Sequence, residues 1–116
     1  MTVVKINGDL IGDWDSFHDV FADALGFPDF YGRNMSAWVD CMTYVDDADA
    51  GMTKVAVPPG SVLTLQIENV NSFAQRCPEL YSALIECAAF VNWRRIELGQ
   101  GSVLTLSFHK TEAISS

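Results

Sequence analysis

Phe30-Tyr31-Gly32-Arg33-Asn34-Met35-Ser36-Ala37-Trp38-Val39-Asp40-Cys41-Met42-Thr43 changes character at its middle. The run from Pro28 to Gly32 cannot continue a helix, since proline and glycine both break the pattern. Asn34 then offers the side-chain acceptor that starts one. Met35, Trp38, Val39 and Met42 recur at helical spacing and predict a short helix with one buried face. Ser36, Asp40 and Thr43 form the complementary stripe, so the displayed face carries small and acidic groups.

Before this stretch, Thr2 to Ile6 reads as a β-branched strand ended by the Asn7-Gly8 turn. A helix is expected from Ser16 to Leu25, with Asp15 as its N-cap and Gly26 as its stop. After it, residues 46–61 form a long irregular connection and the best candidate for an insertion or a flap. Val62 to Ile67 is the next strand, and Asn69 or Asn71 caps a short helix through Phe73 to Arg76. Pro78 suits the first position of a longer helix from Glu79 to Arg95, with Arg94 and Arg95 at the negative end of its dipole. Gly99 and Gly101 precede a last strand, Val103 to Phe108, and the tail from Lys110 to Ser116 is expected to fray. The hexapeptide Gly-Ser-Val-Leu-Thr-Leu occurs at Gly60–Leu65 and again at Gly101–Leu106, as two strand starts with similar demands. Strands separated by helices imply parallel pairing through crossovers. The expected fold is α/β, a small three-stranded parallel sheet with helices packed on it, in a single domain over residues 1–110.

The 116 residues carry a net charge of −8, and its distribution is uneven. Residues 9–49 hold ten aspartates and one basic residue, Arg33, while residues 50–116 balance to zero. A concentrated negative field repels phosphate backbones, which argues against direct nucleic-acid binding, and it steers basic proteins inward. A solubilising acidic surface is the plainer reading of the same charge. No apolar run is long enough to cross a membrane. The strand-like start from Met1 to Asp9 lacks a basic region followed by an apolar run, and the three cysteines have no close pair. Both point to free thiols in a reducing cytoplasm.

Little of the remaining chemistry organises itself into a site. His18 and His109 have no second ligand at metal spacing, and His18 reads as a surface helix residue. The acidic run at Asp46, Asp47 and Asp49 lacks the alternation of a calcium loop. Cys77 precedes a helix N-terminus without a visible base, and Cys41 and Cys87 lie in helices. No metal, cofactor or catalytic residue is expected. What stands out is the aromatic pair Phe30 and Tyr31 followed by the Ser36, Asp40 and Thr43 stripe. It suits capture of a cationic protein site, with the carboxylate meeting Arg or Lys and the aromatics supplying area. An ordinary loop and amphipathic helix fit the same residues.

The opening fourteen-residue stretch also resembles the signature of the barstar family, small cytoplasmic inhibitors of secreted ribonucleases. That signature runs aromatic-Tyr-Gly-x-Asn-hydrophobic-x-Ala-(Leu or Trp)-x-Asp-Cys-Leu-Thr. The resemblance implies a non-enzymatic, immunity-type inhibitor that inserts the loop and second helix into the active site of a basic ribonuclease or toxin. It implies a one-to-one complex of a monomer. Asp40 matches the family's key acid, Thr43 a threonine on the same face and Gly32 the loop glycine. Glu79 sits near the place of a second acid. The implied partner surface comprises Phe30, Tyr31, Gly32, Asn34, Ser36, Val39, Asp40, Thr43, Tyr44 and Glu79. Phe30, Ser36 and Val39 depart from the best-known member at contact positions. Those departures leave room for an alternative, an acidic interaction module of the same fold whose partner is not a nuclease.

Overall fold

Leu63, Leu65 and Ile67 are fully buried while Thr64, Gln66 and Glu68 between them stay half-exposed, and this alternation shows how the molecule is layered. Strands that are covered on both faces read as continuous apolar runs. Here helices cover one face of the sheet and the other is polar. The computed structural model describes residues 2–110. The expected fraying of residues 111–116 lies outside them. The order is β1 (Thr2–Asn7), α1 (Trp14–Leu25), α2 (Met35–Thr43), β2 (Leu63–Glu68), α3 (Val70–Arg76), α4 (Pro78–Glu97) and β3 (Leu104–His109).

The three strands are parallel in the order β1-β2-β3. Both crossovers step across the sheet in the same direction. Right-handed connections of that kind lay their helices on one side. The repeated hexapeptides lie side by side in register, with Leu63 opposite Leu104, Thr64 opposite Thr105 and Leu65 opposite Leu106. On the uncovered face the Thr64 and Thr105 hydroxyls meet at 2.9 Å. On the covered face these strands pack with Phe17, Phe21, Trp38, Phe73 and Leu84 in one core.

Local signals account for most boundaries. The N-cap of α1 is Asp13 rather than Asp15: its carboxylate accepts from the Ser16 amide at 2.8 Å, and Ser16 Oγ accepts from the Asp13 amide at 3.0 Å. This reciprocal box starts the helix at Trp14, two residues earlier than expected. Gly26 ends α1 at φ 68°, a left-handed conformation that glycine adopts freely. A Cβ there would also lie 2.5 Å from Lys54 Cβ, because the following segment is tied down at this point. The Lys54 and Val55 amides donate to the Leu25 carbonyl at 3.0 and 3.2 Å. Val57 is buried nearby. Residues 46–61 are therefore a strap on the end of α1, not a free flap.

Asn92 of α4 performs the corresponding task for β3. Its Oδ1 accepts from the Val103 and Leu104 amides, and its Nδ2 donates to the Leu104 carbonyl. The last strand is thereby fixed to the longest helix where its pairing with β2 begins.

Candidate functional site

The loop between α1 and α2 is held from three sides. The Tyr31 amide donates to the Pro28 carbonyl at 2.9 Å and closes a turn. The Tyr31 ring lies against Phe27, with centroids 4.6 Å apart. Its hydroxyl lies 2.6 Å from His18 Nδ1. His18 is buried, contrary to the expectation of a surface residue: Trp14, Phe17 and Tyr31 surround its ring. Burial, followed by the charge of Arg33, pushes the His18 pKa down, and burial pushes the Tyr31 phenol up. The hydroxyl and the ring share one hydrogen bond, whose direction is set by the His18 tautomer.

Arg33 supplies the third hold. It occupies the left-handed region at φ 53°, an uncommon conformation for a residue with a side chain. Its guanidinium donates to Asp19 at 2.9 Å and to the Asp15 carbonyl at 3.1 Å, which fastens the loop to α1. Phe30 at the tip remains 75 % exposed and Gly32 beside it is exposed. Asn34 then caps α2 as expected, its Oδ1 accepting from the Ala37 amide at 2.8 Å.

Along α2, Trp38 enters the core edge-on to Phe21 at 5.7 Å, and Val39, Cys41 and Met42 are buried beside it. Ser36 and Asp40 face outward. Thr43 does not, although the helical period assigns it to the same stripe: it is 1 % exposed. The end of α4 covers it, and Arg95 donates to the Thr43 carbonyl at 2.9 Å. The Thr43 hydroxyl donates back to the Val39 carbonyl at 2.6 Å. Val39 and Thr43 thus support the displayed face from beneath. Tyr44, the C-cap, is partly exposed.

Glu79 is not brought to this surface. It lies in the first turn of α4 beside Gly12 and Arg76, whereas the α4 residue that touches Asp40 is Arg94 in the last turn. Their separation of fifteen positions along the helix corresponds to roughly 22 Å of rise. A continuous helix cannot fold that distance away.

Three features had no local signature. Arg94 Nη1 donates to Asp40 Oδ1 at 2.9 Å. Arg95 grips both carboxylate oxygens of Asp46 at 2.8 Å and donates to the Gly101 carbonyl. Phe90, exposed on α4, lines a groove with Ser36, Val39 and Asp40, so the acidic face has an aromatic border. Only the two arginines at the end of α4 hinted at any of this in the sequence.

The thiols offer no evident nucleophile. Burial, helped by the neighbouring Asp40, pushes Cys41 up to about 11, and burial with Glu86 raises Cys87. Cys77 is buried with its sulfur 3.7 Å from the Ile11 carbonyl. Among the described residues no three His, Cys, Asp or Glu side chains cluster as metal ligands. No helix among them is long and apolar enough to cross a membrane. Asp46 is committed to Arg95, and Asp47 accepts from the Asp49 amide in a short turn.

The fold is that of a small α/β domain in which α2 exposes Ser36 and Asp40 and the loop before it exposes Phe30. The family model described as Barstar (barnase inhibitor) matches residues 1–104, and the chain belongs to that family. It is also similar to a protein of Bacillus subtilis (strain 168) that carries the name "Putative ribonuclease inhibitor YrdF", with 42 % identity over 43 residues. That match covers 37 % of this chain and 47 % of the relative, so the chain spans about half the length of the curated relative it matches.

Proposed function

We infer that this chain is a binding protein, not an enzyme, and that it inhibits a basic ribonuclease by covering its active site. Asp40 takes the place of a substrate phosphate against the enzyme's cations. Phe30, Tyr31, Gly32, Asn34 and Ser36 complete the contact surface, with Tyr44 at its edge. The observation that carries this reading is the placement of Asp40: more than half exposed on a pinned helix, next to a loop held by Arg33 and His18. A preorganised acid loses little freedom on binding, so more of its attraction to a cation is kept. The excess of aspartates over residues 9–49 gives the molecule a negative field that attracts a basic partner. Membership of a family described by barnase inhibition supports a ribonuclease as the partner class. In this reading the ribonuclease is secreted or injected and is met in the cytoplasm as a one-to-one complex.

The interaction module with a non-nuclease partner drew on the changes at Phe30, Ser36 and Val39. Of those three, Phe30 and Ser36 are exposed, while Val39 is buried and reaches only the floor of the groove beside Asp40.

Barnase is the probe that tests the reading. Increasing amounts of the chain are titrated against barnase in an RNA-cleavage assay, beside the Asp40→Ala variant. Wild type is expected to inhibit at one equivalent. Asp40→Ala is expected to need a concentration on the order of a hundredfold or more higher, since it leaves buried cations unpaired. Equal inhibition by the two proteins, or none by either, would refute the role assigned to Asp40.

A further inference from the structure

The geometry points to Arg94 as an internal competitor that limits how strongly Asp40 can engage a partner's cation. This rests on the reading of Asp40 as the partner-binding acid. Arg94 reaches from α4 across the groove to α2 and donates through Nη1 to Asp40 Oδ1 alone, at 2.9 Å. Among the described residues, Oδ2 accepts no hydrogen bond. A partner's guanidinium makes its strongest contact by engaging both oxygens of a carboxylate at once. With Oδ1 occupied, an incoming arginine meets one oxygen and a charge that is already balanced. A lysine or histidine, which lacks the planar fork that spans both oxygens, loses less. Arg94 therefore weakens the site overall and biases it away from arginine.

The pair is not a structural fastening. Its side chains are 33 % and 56 % exposed, and α2 is already fixed to α4 one residue further on by Arg95. An exposed pair of this kind is readily exchanged for another cation in water. Glu97, three residues along α4, lies within reach of a displaced Arg94.

The test measures barnase association and inhibition for wild type, Arg94→Gln, Asp40→Ala and the double variant, with folding verified by circular dichroism. Lys5→Gln serves as a control, since it removes one positive charge from the exposed side of β1. Arg94→Gln is expected to bind barnase roughly two- to fivefold more tightly, a gain set by the strength of an exposed ion pair. The gain should vanish in the Asp40→Ala background and exceed that of Lys5→Gln. An affinity unchanged or weakened by Arg94→Gln overturns the inference alone. So does a gain that persists without Asp40, or one that Lys5→Gln reproduces. If Asp40→Ala binds as well as wild type, or if wild type does not bind barnase, the role of Asp40 falls and this inference falls with it.

Discussion

Arg94 and Arg95 are neighbours on one helix, and each meets an aspartate from the region of α2, yet the two pairs do different work. Arg95 and Asp46 are 8 % and 12 % exposed and share two parallel hydrogen bonds, and the Thr43 and Gly101 carbonyls take two further Arg95 donors. Arg94 and Asp40 share one bond and keep 33 % and 56 % of their side chains exposed. Burial makes the first pair a fastening, because neither charge has water to return to. Exposure leaves the second free to change partners. One step along α4 separates the arginine that fastens a carboxylate into the molecule from the one whose carboxylate can be offered outward.

The largest effect that would break this contrast comes from the buried pair. Asp46→Ala strands the Arg95 guanidinium, and a loss of about 3–5 kcal/mol in urea unfolding is expected. A loss below about 1 kcal/mol would mean that the two pairs are equivalent. Arg95→Lys sharpens the comparison by keeping the charge and removing the fork. A smaller cost of roughly 1–3 kcal/mol is expected from the carbonyls and the carboxylate oxygen left without donors. Asp40→Ala, by contrast, should change unfolding stability by about 1 kcal/mol or less while it abolishes tight inhibition. The remaining effect is confined to mild acid. The folded pKa of His18 lies below its ordinary value, so the unfolded chain binds more protons in that interval. Stability is then full above about pH 6.5 and falls as pH drops through the folded pKa. His18→Gln should remove that part of the acid loss in unfolding curves recorded across pH, and an unchanged profile would contradict the burial of the ring.

What the sequence made legible was local. Asn34 as a cap, Gly26 as a stop, Pro78 as a first helical residue and the apolar period through Trp38 each depend on a few neighbouring residues, and each stands where it was expected. The strands began and ended within one residue of their expected positions. The acid on α2 was legible for the same reason. The errors arose where distant segments meet. Thr43 has the period of a displayed residue but lies under a helix fifty residues later. The 46–61 segment has no periodicity, and its fastening to Leu25 is made by backbone groups that carry no residue signature. His18 reads as polar until Tyr31 is folded over it. Glu79 sits on the right helix at the wrong end, a matter of helix length rather than residue type.

The all-parallel sheet has a consequence for the order in which the chain can assemble. Thr2 pairs with Leu63, and Leu63 with Leu104, so neither contact lies close in sequence. There is no hairpin to act as a local seed, and each strand pair must await the closure of a loop that contains two helices. Such long-range pairing slows folding relative to chains rich in local contacts. The helix that carries Asp40 is thus also part of the loop that must close before β1 can meet β2.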